Sequence, residues 1–289
     1  MQSESSVFAL GTAQFGVNYG ITNDSGKPHA DEVFHILDFA QSKGIHYLDS
    51  ALAYGNSLDL LSDYIQEKKA SFYVINKFSL LDDFDCLEVS IENWVQKSAT
   101  PFRALLVHDP QRLSEVSESK VKGFVERLKN KKLIHKFGIS IYEFEEYEKW
   151  SKNTDIELIQ FPLNIMSQDF LPHLAFLKSK GIELHARSLF LQGLLLSQVL
   201  PKGFEGLERS WEKYREILKK TNMRPLELNL AWSKGISLID KWVIGVNKKD
   251  ELVEIIEAFN RVSAFFGTEV LQIKDHDNSV VDPRKWKKK

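Results

Sequence analysis

One feature constrains this chain more than any other: a rhythm of short β-rich runs alternating with longer segments of helical period, repeated eight times. The runs are Val7–Gly11, Ile45–Asp49, Phe72–Asn76, Ala104–Val107, Lys136–Ile139, Ile156–Phe161, Ile182–Ala186 and Trp242–Gly245. Between them, Asp31–Lys43 and Ser57–Lys68 read as helices. Leu87, Ile91, Trp94 and Val95 mark another, and Val121, Phe124, Val125 and Leu128 recur at i, i+3, i+4, i+7. Further helices are predicted near Tyr142–Ser151, Phe170–Lys180, Ser210–Lys219, Pro225–Lys234 and Lys249–Phe259. Pro172 is tolerated in a first turn, where its missing N–H does no harm. Strands that alternate with amphipathic helices form a parallel sheet covered by those helices. Eight such units, with Gly or polar residues at the strand C-termini, predict a closed (β/α)8 TIM barrel. No linker or composition break divides the chain. The expected organisation is a disordered N-terminus over 1–6, one barrel domain over 7–262, and a C-terminal segment over 263–289.

Composition narrows the function classes. With 43% hydrophobic residues the chain can bury a large core, so global disorder is excluded. The 38 basic and 40 acidic residues leave a formal charge of −2, so no global field draws in nucleic acid. One cysteine, Cys86, excludes an internal disulfide framework and fits a cytoplasmic location. It is expected to pack in the helix after the third strand. His46 and His185, both on strands, are expected to pack as well, and no His/Asp/Glu spacing indicates a metal site. There is no signal-peptide pattern, and apolar runs such as Leu194–Leu196 are far too short to span a bilayer. The last six residues, from Arg284, carry five positive charges and read as a solvated, frayed tail.

Barrel enzymes place their chemistry at the C-terminal strand ends. Asp49 and Tyr54 follow the second strand, Lys77 the third and His108 the fourth. Closure would bring all four to one mouth. A phenol titrates near pH 10; a nearby ammonium lowers that value, and a carboxylate holds the ammonium charged. An imidazole can hydrogen-bond and orient a carbonyl oxygen. The set suits proton donation to a carbonyl, but none of these groups supplies a hydride, so a cofactor must.

At these residues the chain resembles the aldo-keto reductase family. The pieces are Asp49-x-x-x-x-Tyr54-Gly55, Lys77, His108, Gly138-Ile-Ser140, Gln160-Phe-Pro-Leu-Asn164, Arg187-Ser-Leu-Phe-Leu-Gln-Gly-Leu194 and Val243-Ile-Gly-Val-Asn247, each after its own strand and in order. The resemblance implies Tyr54 as general acid, Asp49 and Lys77 as its tuning pair, and His108 as carbonyl orienter. It implies NADPH, with NADH as the alternative, bound across the mouth. Gly11 and Thr12 would line the nicotinamide side, and Ser140 and Gln160 would bond its carboxamide. Ser188, Leu189, Gln192 and Gly193 would hold the pyrophosphate, and Gly245, Asn247 and Lys248 would meet the adenosine end. No Gly-x-Gly-x-x-Gly follows the first strand, in keeping with a cofactor bound at barrel loops.

The chain departs from the family pattern at three places. Ile141 stands where Asn often follows Ser140, leaving Gln160 and Asn164 more of the amide recognition. Arg187 stands where an aromatic residue commonly stacks on the nicotinamide, and its guanidinium plane is expected to stack on that ring in the cofactor site. Leu252 stands where an arginine commonly grips the 2′-phosphate, with Lys248 and Lys249 as substitutes. Phe15, Tyr19 and Phe190 fall on mouth loops, where an apolar substrate wall and plain packing are both open. The expected activity is reduction of an aldehyde or ketone to an alcohol. The stretch Leu10-Gly-Thr-Ala-Gln-Phe-Gly16 with Tyr19-Gly-Ile21 is similar to reductases of bacterial surface-sugar pathways and makes a sugar-derived carbonyl a candidate. The expected partner is a small-molecule carbonyl, with neither nucleic acid nor membrane, and the chain is expected to be a monomer or weak homo-oligomer. The alternatives are a cofactor-binding regulatory module without turnover, and a sugar dehydratase or epimerase with a retained cofactor.

Overall fold

The protein is described by a computed structural model, covering residues 4–21, 23, 26–274 and 277–286. Eight parallel strands pair in chain order and close: β1 Phe8–Gly11, β2 Tyr47–Asp49, β3 Tyr73–Phe78, β4 Phe102–Val107, β5 Ile134–Ser140, β6 Leu158–Pro162, β7 Glu183–Arg187 and β8 Lys241–Gly245. The (β/α)8 barrel expected from the alternation is the observed fold. The helices are α1 Ala13–Gly16, α2 Ala30–Ser42, α3 Ser57–Lys68, α4 Phe84–Ser98, α5 Glu118–Asn130, α6 Phe144–Trp150, α7 Leu174–Ser179, α8 Glu208–Thr221, α9 Pro225–Lys234, α10 Lys249–Arg261 and α11 Thr268–Leu271. Their ends follow local chemistry. Asp83 accepts from the Asp85 and Cys86 N–H groups at the start of α4, Ser117 accepts from Lys120 N before α5, and Pro225 opens α9. Pro172 sits in a 3-10 turn, Leu171–His173, that precedes α7.

Register puts the chemistry on one face. Neighbouring residues on a strand point to opposite sides, so residues two apart share the interior. Gly11 pairs with Asp49, Asp49 with Ile75, Lys77 with Leu106, Leu106 with Gly138, and Ser140 with Gln160. Ile75, Ala104, Leu106 and Leu158 form a small apolar plug inside the barrel. Above it stand Asp49, Lys77, His108, Ser140, Gln160 and Arg187, each two residues further along its own strand or just past its end. A Cβ at Gly138 would lie 2.0 Å from Leu158 O, so the plug leaves no room for a side chain there. Apolar residues on the outward strand faces pack against the helices in the main core, among them Phe8, Leu10, Val74, Leu105 and Phe137.

Below the plug lies a polar cluster. Glu183 accepts from Lys136 at 2.7 Å and meets His185 Nε2 at 2.9 Å, with Arg103 3.6 Å away. Burial alone would push the Glu183 carboxyl up, but His185 and Lys136 outweigh it and hold it down at about 2 against an ordinary 4.5. A carboxyl that titrates lower in the folded state stabilises above its unfolded value, and that stability is lost as pH falls toward the folded one. We expect urea midpoints of the wild type to drop between about pH 4.5 and 2. Glu183→Gln should be less stable at neutral pH and show a shallower drop in that window. Parallel curves for the two proteins would refute the assignment.

Four expectations change. Disorder does not extend over residues 4–6, which enter the 3-10 turn Glu4–Val7; Ser5 donates to Lys43 O at 2.5 Å, whereas residues 1–3 lie outside the described residues. Cys86 is exposed, because the buried stripe of α4 is Phe84, Leu87, Ile91 and Trp94 and leaves Cys86 on the other side. His46 is exposed just before β2 begins, whereas His185 is fully buried. The C-terminal segment packs onto the barrel as far as it is described. Trp286 packs edge-on to Phe204 with ring centroids 4.9 Å apart, and its indole N–H donates to Val280 O at 2.7 Å. Residues 287–289 lie outside the described residues. No described helix is long and apolar enough to cross a membrane.

Candidate active site

Strand ends deliver four groups to one mouth. Lys77, 1% exposed, donates from Nζ to Asp49 Oδ2 at 2.7 Å and to Ser50 O at 2.9 Å. The ammonium lies 5.4 Å from the centre of the Tyr54 ring, and the His108 ring meets that ring edge-on at 6.1 Å. The second oxygen of Asp49, Oδ1, accepts from Gln160 Nε2 at 2.7 Å. Asp49 is thus held from two strands at once, and it holds the lysine in turn.

The loop that carries Tyr54 is fixed by close backbone approach and a buried hydroxyl chain. A Cβ at Gly16 would lie 1.6 Å from Tyr54 O, so only glycine lets α1 pack against that loop. Gly55 takes φ +54° at the same contact. Ser57 Oγ donates to Thr12 Oγ1 at 2.8 Å, and Thr12 Oγ1 donates to Asp49 O at 3.1 Å. Thr12 is fully buried, so its hydroxyl anchors the site and its backbone forms the wall.

The electrostatics differ from the expectation at Tyr54. Burial and the Asp49 charge push the Tyr54 phenol above its ordinary 10, with Arg187 opposing. The ammonium of Lys77 does not reverse this, because it makes its hydrogen bonds to Asp49 and Ser50 and none to the phenol. Burial pulls Lys77 below its usual range, with Asp49 opposing. Burial, then the Lys77 and Arg187 charges, pushes His108 down to about 4, so it is neutral at physiological pH.

A cleft of about 240 Å³ runs from Asp49 and Tyr54 past Ser188 and Gly193 to Gly245 and Asn247. Gly11, Thr12, Arg187, Leu189 and Gln192 line it too, so one groove gathers most of the residues expected to meet a cofactor. After β7 the backbone is strained: Ser188, Leu191 and Gln192 have φ of 63°, 47° and 54°, each unfavourable for a non-glycine residue, and Gly193 has 92°. Such strain concentrates where a backbone is shaped for a ligand. Gln160 Oε1 is buried with no partner among the described residues, beside Ser140 in register. An acceptor left open there fits an amide N–H donor. A larger groove of about 460 Å³, lined by Lys129, Glu157 and Gly181, opens where β6 and β7 begin, far from the four groups.

Other expected residues have different work. The side chain of Asn164 is engaged: Nδ2 donates to Ser188 O at 3.1 Å, and Oδ1 accepts from Met166 N and Ser167 N. It positions Ser188. Phe15 and Phe190 are buried and belong to the core, whereas Tyr19 is exposed at the cleft and its hydroxyl accepts from Gln192 at 3.3 Å. The guanidinium of Arg187 packs 4.1 Å from the Tyr142 ring centre. At the far end Lys248 and Lys249 are both exposed, with Lys249 Nζ 5.7 Å from the Phe39 ring of α2. Asn247 N donates to Glu251 at 2.7 Å, and Asn247 Oδ1 accepts from Asn23 at 3.0 Å.

Several cleft residues escaped the sequence reading. Gln14 packs where a Cβ on Gly245 would go, with Nε2 only 2.3 Å from that position, and Glu251 closes the far end of the cleft beside Asn247. Neither had a distinguishing pattern. Tyr142, which stacks on the cleft residue Arg187, had one, since it continues the inward parity of Gly138 and Ser140.

The sequence matches the model of the Aldo/keto reductase family over residues 8–276. Among solved structures, the chain is similar to the aldo-keto reductase AKR11C1 from Bacillus halodurans in its holo form. Identity is 15%, with 97% of this chain and 95% of that one covered at a TM-score of 0.74. It is also similar to the glycerol dehydrogenase AKR11B4 from Gluconobacter oxydans, at 16% identity, 92% and 89% coverage and a TM-score of 0.69. A thermostable aldo-keto reductase, Tm1743, in complex with the inhibitor epalrestat, shares 20% identity over 92% and 93%, with a TM-score of 0.69. No curated protein matches. At these identities the structural likenesses carry the fold, and the family match over most of the chain carries membership: this chain belongs to the aldo/keto reductase family.

Proposed function

We propose that the protein reduces an aldehyde or ketone to an alcohol with a nicotinamide cofactor, Tyr54 serving as general acid. The observation that carries this reading is the buried Lys77–Asp49 pair against the Tyr54 ring, with the His108 ring edge-on to the same ring. When bound, the cofactor supplies the hydride that no side chain can. Its hydrogen-bonding carboxamide suits Ser140 and the open Gln160 Oε1, its pyrophosphate the strained loop over Ser188, Leu189, Gln192 and Gly193, and its adenosine end Gly245, Asn247 and Lys248. Gly11 and Thr12 form the wall beside Tyr54.

The chain's own groups handle the proton. His108 is neutral above about pH 4 and can hydrogen-bond the carbonyl oxygen without adding charge. Tyr54 keeps its proton across the physiological range, so the donor is always loaded. As the carbonyl oxygen becomes an alkoxide it grows far more basic than a phenolate, and the proton moves from Tyr54 Oη to it. The Lys77 ammonium, 5.4 Å from the Tyr54 ring centre, is the cation placed to stabilise the new phenolate.

NADPH is the proposed cofactor, with NADH the alternative. The 2′-phosphate would meet Lys248 alone, because Lys249 is turned toward Phe39, so the preference should be smaller than two lysines would give. The proposed setting is the cytoplasm, with a small-molecule carbonyl, sugar-derived ones included, as substrate and a monomer or weak homo-oligomer as the working form. The test is a panel of aldehydes and ketones followed at the absorbance of the reduced cofactor, with NADPH and NADH in parallel. Stoichiometric cofactor oxidation with alcohol formation is the expected result. Cofactor binding without oxidation by any carbonyl would overturn the reading in favour of a regulatory module, and turnover without net oxidation in favour of a dehydratase or epimerase.

A further inference from the structure

Arg187 is a cation the proton chemistry does not use. It lines the same cleft as Tyr54 and Asp49 and is half-buried. Among the described residues it forms no ion pair, although the molecule pairs many other arginines, including Arg127, Arg224, Arg261 and Arg284. Among the described residues its guanidinium makes one hydrogen bond, a long one, from Nη2 to Ile141 O at 3.3 Å. A guanidinium offers five N–H donors, so most of them are left for a ligand.

The side chain is nevertheless held in place. Tyr142 is clamped between two guanidinium groups, Arg187 at 4.1 Å and Arg284 at 3.5 Å from its ring centre. Arg284 comes from the C-terminal segment, and its charge is met by Asp282 through bonds of 2.7 to 3.1 Å. The stack therefore orients Arg187 without neutralising it. Elsewhere in the site the charges cancel: Lys77 is paired with Asp49, and His108 is neutral. One uncompensated positive charge remains beside the proton donor, and it is felt there, since Arg187 opposes the upward push on Tyr54 and adds to the downward push on His108. Keeping a half-buried cation unpaired costs stability, and a ligand anion would recover that cost.

We propose that Arg187, held on the Tyr142–Arg284 stack, binds an anionic oxygen group on the substrate, so that the preferred carbonyl compounds carry a carboxylate or a phosphate. The proposal rests on the reductase reading and names its substrate class. A planar guanidinium suits both groups through paired N–H donors.

The test compares matched charged and uncharged carbonyls. One arm uses 4-carboxybenzaldehyde against its methyl ester, and the other glyceraldehyde 3-phosphate against glyceraldehyde. The quantity read is the ratio of kcat/KM, charged over uncharged, in wild type, Arg187→Gln and Arg187→Lys. In wild type at least one arm should show a ratio of about ten or more, the arm identifying carboxylate or phosphate. The ratio should collapse toward one in Arg187→Gln, persist in part in Arg187→Lys, and shrink as salt is raised. Because each ratio is internal to one protein, a general loss of activity in a variant does not disturb it. Benzoate titrated against the intrinsic tryptophan fluorescence of the cofactor-loaded protein gives a second reading, with binding expected in wild type and weakened at least about tenfold in Arg187→Gln. Ratios near one in both wild-type arms, or a ratio unchanged in Arg187→Gln, overturn the proposal while leaving the reductase reading intact. No reduction of any carbonyl, charged or uncharged, overturns the reductase reading itself.

Discussion

Tyr54→Phe is expected to lower carbonyl turnover by at least about a hundredfold, the lower end of what a positioned general acid contributes. The substitution removes one hydroxyl and keeps the ring, so the edge-on contact with His108 and the approach of Lys77 survive. Its phenol makes no hydrogen bond that the fold depends on among the described residues, so stability should hardly change. Cofactor affinity should stay within a few-fold of wild type. The measurement is single-turnover cofactor oxidation with a poor substrate, so that chemistry and not product release sets the rate. A rate within about threefold of wild type would remove Tyr54 from the role of acid and shift attention to His108.

Lys77→Met is expected to destabilise the protein by about 3–5 kcal/mol, because it leaves the Asp49 carboxylate buried without its cation. Both groups are almost wholly out of solvent: Asp49 is 4% and Lys77 1% exposed. The partners that remain to Asp49, Gln160 Nε2 among them, are neutral and do not replace a charge. The double variant Lys77→Met with Asp49→Asn removes both charges and should recover most of the loss, as buried pairs replaced together often do. Urea unfolding of the four proteins in the cycle measures this. Both should be inactive to at least the extent of Tyr54→Phe, since the phenolate formed at the moment of proton transfer loses its counter-charge. A single variant as stable as wild type would overturn this account of the pair.

Strand positions were legible because period-two and period-3.6 patterns encode them locally. Each of the eight strands lies within a few residues of its expected place. Asp49, Lys77 and His108 could be assigned to strand ends for the same reason, and parallel pairing around a closed barrel makes strand ends converge. Cys86 was misplaced because a single polarizable residue adjoining an apolar stripe gives no reliable phase, and the stripe of α4 runs through Phe84, Leu87 and Ile91. The packing of Arg284 and Trp286 was hidden for a related reason, although Arg284 and Lys285 are exposed as expected. A run of positive charge reads as solvated unless a partner is known, and the partners of Arg284 and Trp286, namely Tyr142 and Phe204, lie far away in the chain.

Local order along the chain thus determined the barrel, its one-domain organisation and the identity of the four groups at its mouth. Their electrical state was decided only in three dimensions. Whether an ammonium lowers a phenol's pKa depends on how deeply the phenol is buried and which other charges it faces; Lys77 is paired with Asp49, and burial together with the Asp49 charge governs Tyr54. Whether Asn164 serves a ligand or a loop depended on Ser188 O being within 3.1 Å. Whether Arg187 is paired depended on which side chain just past β5 reaches it; Tyr142 does, itself stacked on Arg284, and it is not an anion. Such through-space charges and contacts fall off over a few ångströms, and sequence separation carries no record of those distances.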